Sequence, residues 1–281
     1  MRKAVLVVAL AAALSTAVRA LAADTSLHGD NGRKYLKVTG LTEDQRLVQF
    51  RTSDAENVTS SGTVTGLMGD TELVGIDYRV QNGLLYGVGN AGGVYTLNTS
   101  NAVATKVSQL SIALQGARFG VDFDPAADRL RIIGDTGQNL RHNVNVATGG
   151  TVLDGTLTTP PASNPALGVT GAAYTNNDLD MATTSSLFDI DTAGDRVFLQ
   201  SPANAGTLAP TGSLGVNAGP SAGFDIYFST GDGTNQGFAA LETGGSYRFY
   251  TVNRLTGEAD DDGPFPDDRQ VFDVALPLNQ K

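Results

Sequence analysis

Residues 119–155, FGVDFDPAADRLRIIGDTGQNLRHNVNVATGGTVLDG, hold the plan from which the rest of the chain is read. Phe119–Asp124 alternates as a β-strand does, a Pro/Ala turn follows, and Arg129–Gly134 reads as a second strand. A polar Asp-Thr-Gly-Gln-Asn loop leads into a third strand at Leu140–Asn145, and a Thr-Gly-Gly turn into a short fourth. The same plan recurs on both sides. Before it come VGIDYR (74–79), LLYGVG (84–89), VYTLN (94–98) and ATKVSQL (104–110), with Asn82-Gly83 a hairpin signal between the first two. After it come VTGAAYT, SSLFDID, RVFLQ and TLAPTGSLG, and then AGFDIYF, GFAALET and YRFYTVN.

The register mark is Gly-apolar-Asp. It stands at Gly75-Ile76-Asp77, Gly120-Val121-Asp122 and Gly223-Phe224-Asp225, with Gly171-Ala172-Ala173 and Val271-Phe272-Asp273 as degenerate forms. Third positions at 77, 122, 173, 225 and 273 repeat at intervals of 45 to 52 residues, the period of four-stranded propeller blades. The N-terminal unit (33–66: KYLKVTGL, QRLVQFRT, GTVTGL) supplies three strands, and VFDVAL (271–276) is an orphan first strand. Pairing them completes a blade and closes a ring, which removes the exposed sheet edges of an open array. The expected fold is therefore an all-β propeller of about five blades over residues 33–276, with a 277–281 tail; a six-bladed ring is the alternative.

The N-terminus has the pattern of a secretory signal peptide: Arg2 and Lys3, an apolar Ala4–Leu14, and a small-residue cleavage site at Ala20-Leu21-Ala22. Residues 1–22 are read as that signal and 23–32 as a polar lead-in, which predicts a secreted or periplasmic protein. Removing 1–22 takes away three of the 19 basic residues and none of the 29 acidic ones, so the net charge moves from −10 to −13. Such a surface repels phosphate backbones and anionic lipid, so nucleic acid and membrane surfaces are poor partners; a ligand or an envelope or matrix component is the expected one. No Cys is present, which excludes disulfides, thiolate nucleophiles and Cys-ligated metal.

The run GIDYR…LYGVGNAGGVYTLNT, FGVDFDPAADRLRIIGDTGQNLRHN, AAYTNN, LFDID, QSPANAGTL and GFDI resembles the bacterial domain-of-unknown-function family 4394, over roughly residues 40–276. Asp124 departs from that pattern, which usually has Asn before the Pro. The resemblance implies an exported, propeller-like protein and carries no activity with it.

Candidate site residues fall in two sets. Arg129 and Arg131 share a strand face beside Asp135, Gln138, Asn139 and Arg141, and two guanidinium groups there suit a carboxylate or sugar hydroxyls. Alternatively Asp128 pairs with Arg131 or Arg141 to stitch strands, while Gln138 and Asn139 satisfy loop backbone. Tyr174, Asn176 and Asn204 stand at loop positions where propellers bind ligands. The second set, Asp77, Asp122, Asp225 and Asp273, converges on the ring axis, where carboxylates either hold Ca²⁺ or accept amides of the neighbouring blade. Asp-rich runs at 178–180, 189–191 and 260–262 read as solvated turns. His142 has no second His near it except His28 of the lead-in, and no GxSxG or HExxH motif occurs. Two functions compete: a non-enzymatic binding or surface-associated protein, and a Ca²⁺-dependent hydrolase of the lactonase or esterase type.

Overall fold

A computed structural model describes residues 35–180 and 182–280; the signal peptide and lead-in expected at 1–32 lie outside the described residues. The chain opens with β1 (Lys37–Thr42), β2 (Arg46–Arg51) and β3 (Asp54–Thr63). Next come β4 (Leu73–Tyr78), β5 (Leu85–Gly89), β6 (Gly93–Leu97) and β7 (Ala104–Gln109). The central stretch forms β8 (Phe119–Asp124), β9 (Arg129–Gly134), β10 (Asn139–His142) and β11 (Thr151–Leu153). Then follow β12 (Val169–Tyr174), β13 (Leu187–Asp191), β14 (Arg196–Gln200) and β15 (Leu208–Ser213). The last group is β16 (Ala222–Ser229), β17 (Thr234–Thr243), β18 (Ser246–Val252) and β19 (Ala259–Pro264), before β20 (Val271–Ala275).

These strands make five four-stranded antiparallel sheets, ordered β20-β1-β2-β3, β4-β5-β6-β7, β8-β9-β10-β11, β12-β13-β14-β15 and β16-β17-β18-β19, here blades 1 to 5. The protein is a five-bladed β-propeller. Its ring closes as the pattern requires: β20 pairs antiparallel with β1, setting Thr39 opposite Ala275 and Leu41 opposite Asp273. Beyond β20, Gln280 accepts the Lys37 amide at 2.6 Å and donates to its carbonyl at 2.9 Å, fastening the tail across the seam.

Apolar side chains on facing sheets fill the space between blades. At the seam, Phe50 of blade 1 meets Phe249 of blade 5 edge-to-face at 5.0 Å, with Phe265 against both. Each inner strand lies near-continuously buried, as a strand covered on both faces must, whereas the outermost β3 is exposed or half-buried over most of its length and β19 is half-buried. That asymmetry explains two differences from the sequence reading. The outermost strand of blade 1, β3, begins at Asp54, in the polar run between QRLVQFRT and GTVTGL, and Asp260–Asp262 lie in β19 rather than in a loop. An edge strand exposed on its outer face has no apolar alternation to display.

Where inner strands cross, their glycines permit contact closer than any side chain allows. A Cβ on Gly120 would stand 2.7 Å from the Ala172 nitrogen, and one on Gly223 would stand 2.3 Å from the Asp273 Cα. Gly223→Ala is therefore expected to force blades 5 and 1 apart and to destabilise by about 1–3 kcal/mol in urea unfolding. Gly231→Ala, where a Cβ meets nothing within 4 Å, is expected to be neutral or slightly stabilising. Equal effects at the two positions would contradict the seam.

Candidate functional site

Every inner strand pairs with its blade on one edge and turns the other edge to the axis, so its outward amides need acceptors from elsewhere. The aspartates supply them across blade boundaries. Asp77 Oδ2 accepts the Phe123 amide at 2.8 Å, Asp122 Oδ1 the Tyr174 amide at 3.2 Å, and Asp225 Oδ2 the Leu276 amide at 2.6 Å. In each case the donor follows the residue level with the aspartate: Phe123 follows Asp122, Tyr174 follows Ala173, Leu276 follows Ala275. The axial positions are thus Asp77, Asp122, Ala173, Asp225 and Ala275.

Asp273 sits one dipeptide earlier, about 6–7 Å along the strand, at the level of the glycines. It accepts Ile76 and Val274 amides at 2.7 and 3.0 Å with its two oxygens. The four carboxylates are therefore not one ring. One oxygen each from Asp77, Asp122 and Asp225 lies within 4.8 Å of the others, and Asp273 stands outside this trio. Blades 2 and 5 are not neighbours, so only the axis brings their carboxylates together. Burial pushes Asp77 and Asp122 well above the usual carboxylate range, with further upward pressure from the other aspartates. Burial raises Asp225 to about 6.

The arginine cluster does a different job. Arg131, 1% exposed, donates to Asp154 Oδ2 (2.6 Å), Asn139 Oδ1 (2.8 Å), Tyr174 Oη (3.1 Å) and Asn204 Oδ1 (2.7 Å), knotting blade 3 to blade 4. Arg141 binds the same Asp154 carboxylate through two nitrogens at 2.8 and 3.0 Å. Among the described residues, Arg129 bonds the carbonyls of Ala127 and Asp128. The two arginines do not act as a pair.

Asp128 does not pair with Arg131 or Arg141. It takes a bidentate bond from Arg79 of blade 2, at 2.7 and 2.5 Å, which holds its carboxyl below the usual range. The turn Asp124–Asp128 points back across the blade boundary, and Arg79 meets it there. Gln138 and Asn139 do bond loop backbone: Gln138 to Ala113 and Gln115, Asn139 to Gly155 and Ala203. Asp135 accepts the Ala117 amide, and Asn176 exchanges bonds with Asn235 of blade 5.

Two polar groups named from the sequence are buried, which their sequence context did not show. His142, fully buried, sits between Ser108 Oγ (2.9 Å) and Thr151 Oγ1 (3.0 Å), and burial lowers it to about 4. It bridges blades 2 and 3 as a neutral ring. Asp189, read as part of a turn, lies fully buried in β13 with neither oxygen hydrogen-bonded; burial raises it well above its usual range, partly offset by Arg131.

At the end of the ring where the inner strands begin, two clefts open. One, of about 150 Å³, is lined by Glu43, Gln45, Glu72, Arg118 and Ser221 over Phe119 and Phe272. The other, of about 250 Å³, adds Glu242, Tyr247 and Asp267, and shares Glu43. Four carboxylates and one guanidinium thus line the two clefts between them. Glu43, Glu72, Glu242 and Arg118 were not singled out from sequence, because they come from separate parts of the chain. The available signal was position: Glu72, Arg118, Ser221 and Gln270 each directly precede an inner strand.

The family model described as "Domain of unknown function (DUF4394)" matches residues 46–275. No curated protein matches the chain. Among solved structures, it is similar to a protein of unknown function from Bacteroides thetaiotaomicron, at 15% identity over 89% of this chain and 69% of that one, TM-score 0.44. It is also similar to an auxiliary nutrient binding protein from Bacteroides ovatus, at 11% identity over 77% of this chain and 56% of that one, TM-score 0.42.

Arg131→Met leaves Asp154, Asn139 and Tyr174 without their central donor and is expected to lose about 3–5 kcal/mol in urea unfolding, as a broken buried pair does. Arg129→Met is expected to change stability by under about 0.5 kcal/mol. A neutral Arg131→Met would contradict this structural role.

Proposed function

Since the chain belongs to the family of domain of unknown function 4394, a family without an assigned activity, we propose its function from geometry: an exported, non-enzymatic binding propeller that takes a small amine-bearing ligand at the inner-strand mouth. The observation that carries this reading is the pair of clefts meeting at Glu43. Glu43, Glu72, Glu242 and Asp267 surround polar concave space with Arg118 as the one cation among the lining residues. An ammonium group suits that carboxylate set, Gln45 and Ser221 offer hydrogen bonds, and Phe119 and Phe272 offer an apolar floor. The chain's acidity draws cations toward the mouth from a distance. The signal pattern in the sequence of residues 1–22 supports the export part of this reading, to the periplasm or the outside of the cell.

The hydrolase reading fares less well on two observations. Asp77, Asp122 and Asp225 are 3%, 1% and 2% exposed, too enclosed to present a metal-bound water to an ester or lactone. The Ser108–His142 pair is buried as well, with its imidazole spanned by a second hydroxyl.

Calorimetric titration with spermidine at low salt tests the proposal. Saturable binding that weakens at least tenfold in Glu43→Gln and again in the double variant with Glu72→Gln is expected. Absence of binding, or binding indifferent to both substitutions, would overturn it.

A further inference from the structure

We propose that the ring axis is a divalent cation site, calcium by size and ligand type, made by Asp77, Asp122 and Asp225 and tying blades 2, 3 and 5 together. Three carboxylates from three blades, each nearly devoid of solvent contact, place one oxygen apiece within 4.8 Å of the others. Oxygens bound to one Ca²⁺ at about 2.3–2.6 Å stand no farther apart than about 4.6–5.2 Å, so the trio fits around a single ion. Mg²⁺, at about 2.0–2.1 Å in strict octahedral geometry, needs a tighter set.

Proximity of acids alone does not make a site; the unused oxygens do. Asp122 spends Oδ1 on the Tyr174 amide, and Asp225 spends Oδ2 on the Leu276 amide. Their second oxygens, Asp122 Oδ2 and Asp225 Oδ1, are buried and lack a well-formed hydrogen bond; the Ile226 amide lies near enough to the Asp225 carboxylate to favour its charge, while Asp122 Oδ2 has no such neighbour. Buried carboxylate oxygens are normally satisfied, and leaving one bare costs on the order of a lost charged hydrogen bond. The charges that act most on Asp122 are Asp77 and Asp225, both negative, so the cluster concentrates charge without a basic side chain as its leading partner. A hard cation answers both deficits, satisfying the bare oxygens and offsetting the repulsion, and it needs only oxygen ligands.

The two remaining axial positions are Ala173 and Ala275. Their methyl groups supply space and no ligand, which leaves the rest of a six- to eight-fold shell to water or backbone carbonyls. The site reads as structural, a pin through the centre of the ring, and stands independently of the mouth clefts, which lie at the starts of the inner strands about three residues, or ~10 Å, away.

Metal analysis, calcium titration and melting of the full chain test it. Wild-type protein is expected to hold one Ca²⁺ per chain, lose it to EDTA, and melt about 5–10 °C higher with calcium at a hundredfold excess over Kd than with EDTA. Mg²⁺ is expected to bind more weakly. Asp122→Asn and Asp225→Asn keep an oxygen for the neighbouring amide but turn an NH₂ or a neutral oxygen to the centre. Each is expected to abolish the calcium shift while melting in EDTA no lower than wild type, because one repelling charge has gone. Asp273→Asn, outside the trio, is expected to keep the shift. Wild type that holds no stoichiometric metal and melts identically with EDTA and calcium overturns the proposal, as does a calcium shift that survives both trio variants. Should one trio variant fail to fold, the wild-type titration and the other variant decide.

Discussion

An inner strand of a propeller is an edge strand, and its axial amides are the constraint around which this ring is built. They cannot reach water in a packed channel and have no sheet partner. At four of the five blade boundaries they donate to carboxylates from the preceding blade, Phe123 to Asp77, Tyr174 to Asp122, Leu276 to Asp225 and Ile76 to Asp273; between blades 4 and 5 the position is Ala173, which offers no acceptor. Each bond spans a blade boundary and is worth more than a neutral one because its acceptor carries charge when ionised. Glycines at 120 and 223 let the strands come close enough for the bonds to form. The solution has its own cost. Several carboxylates brought together out of water disfavour ionisation, and something positive, whether protons or a cation, has to accompany them.

Further out, other polar links repeat the principle with different chemistry. Arg79 and Asp128 join blades 2 and 3, aided by His142 and Ser108; Arg131 joins blades 3 and 4; Asn176 and Asn235 join blades 4 and 5. Blades 5 and 1 meet through phenylalanines, and blades 1 and 2 through Thr39 and Tyr78. A repeat protein without Cys gains its rigidity from such boundary contacts, and the polar ones fix the rotation of each blade relative to the next.

Much of this was legible in the chain, and the limits have physical reasons. Inner and second strands, apolar on both faces and marked by Gly-apolar-Asp, stand out; β8 and β9 match the expected Phe119–Asp124 and Arg129–Gly134. Outer strands such as β3 and β19 do not, since polar residues with one exposed face look like turns. The axial role of Asp77, Asp122 and Asp225 was readable from their period. Asp273 was misaligned by two residues because the closing strand carries its Asp where the other blades carry Gly, beside a register shift at Leu41/Thr42. Partners such as Arg79 and Asp128, 49 residues apart, and mouth residues such as Glu43 and Arg118 are set by how blades face one another, which no local pattern records.

The central claim is that the axis-facing amides are held by carboxylates of the neighbouring blade in a closed ring. Native-state hydrogen exchange at Ile76, Phe123, Tyr174 and Leu276 addresses it most directly. These four amides are expected to exchange only through global unfolding, as slowly as core amides such as Val88 and Ile132. Fast exchange at Leu276 and Ile76, with protection kept at Phe123 and Tyr174, would mean that the seam opens on its own and would contradict the closed ring.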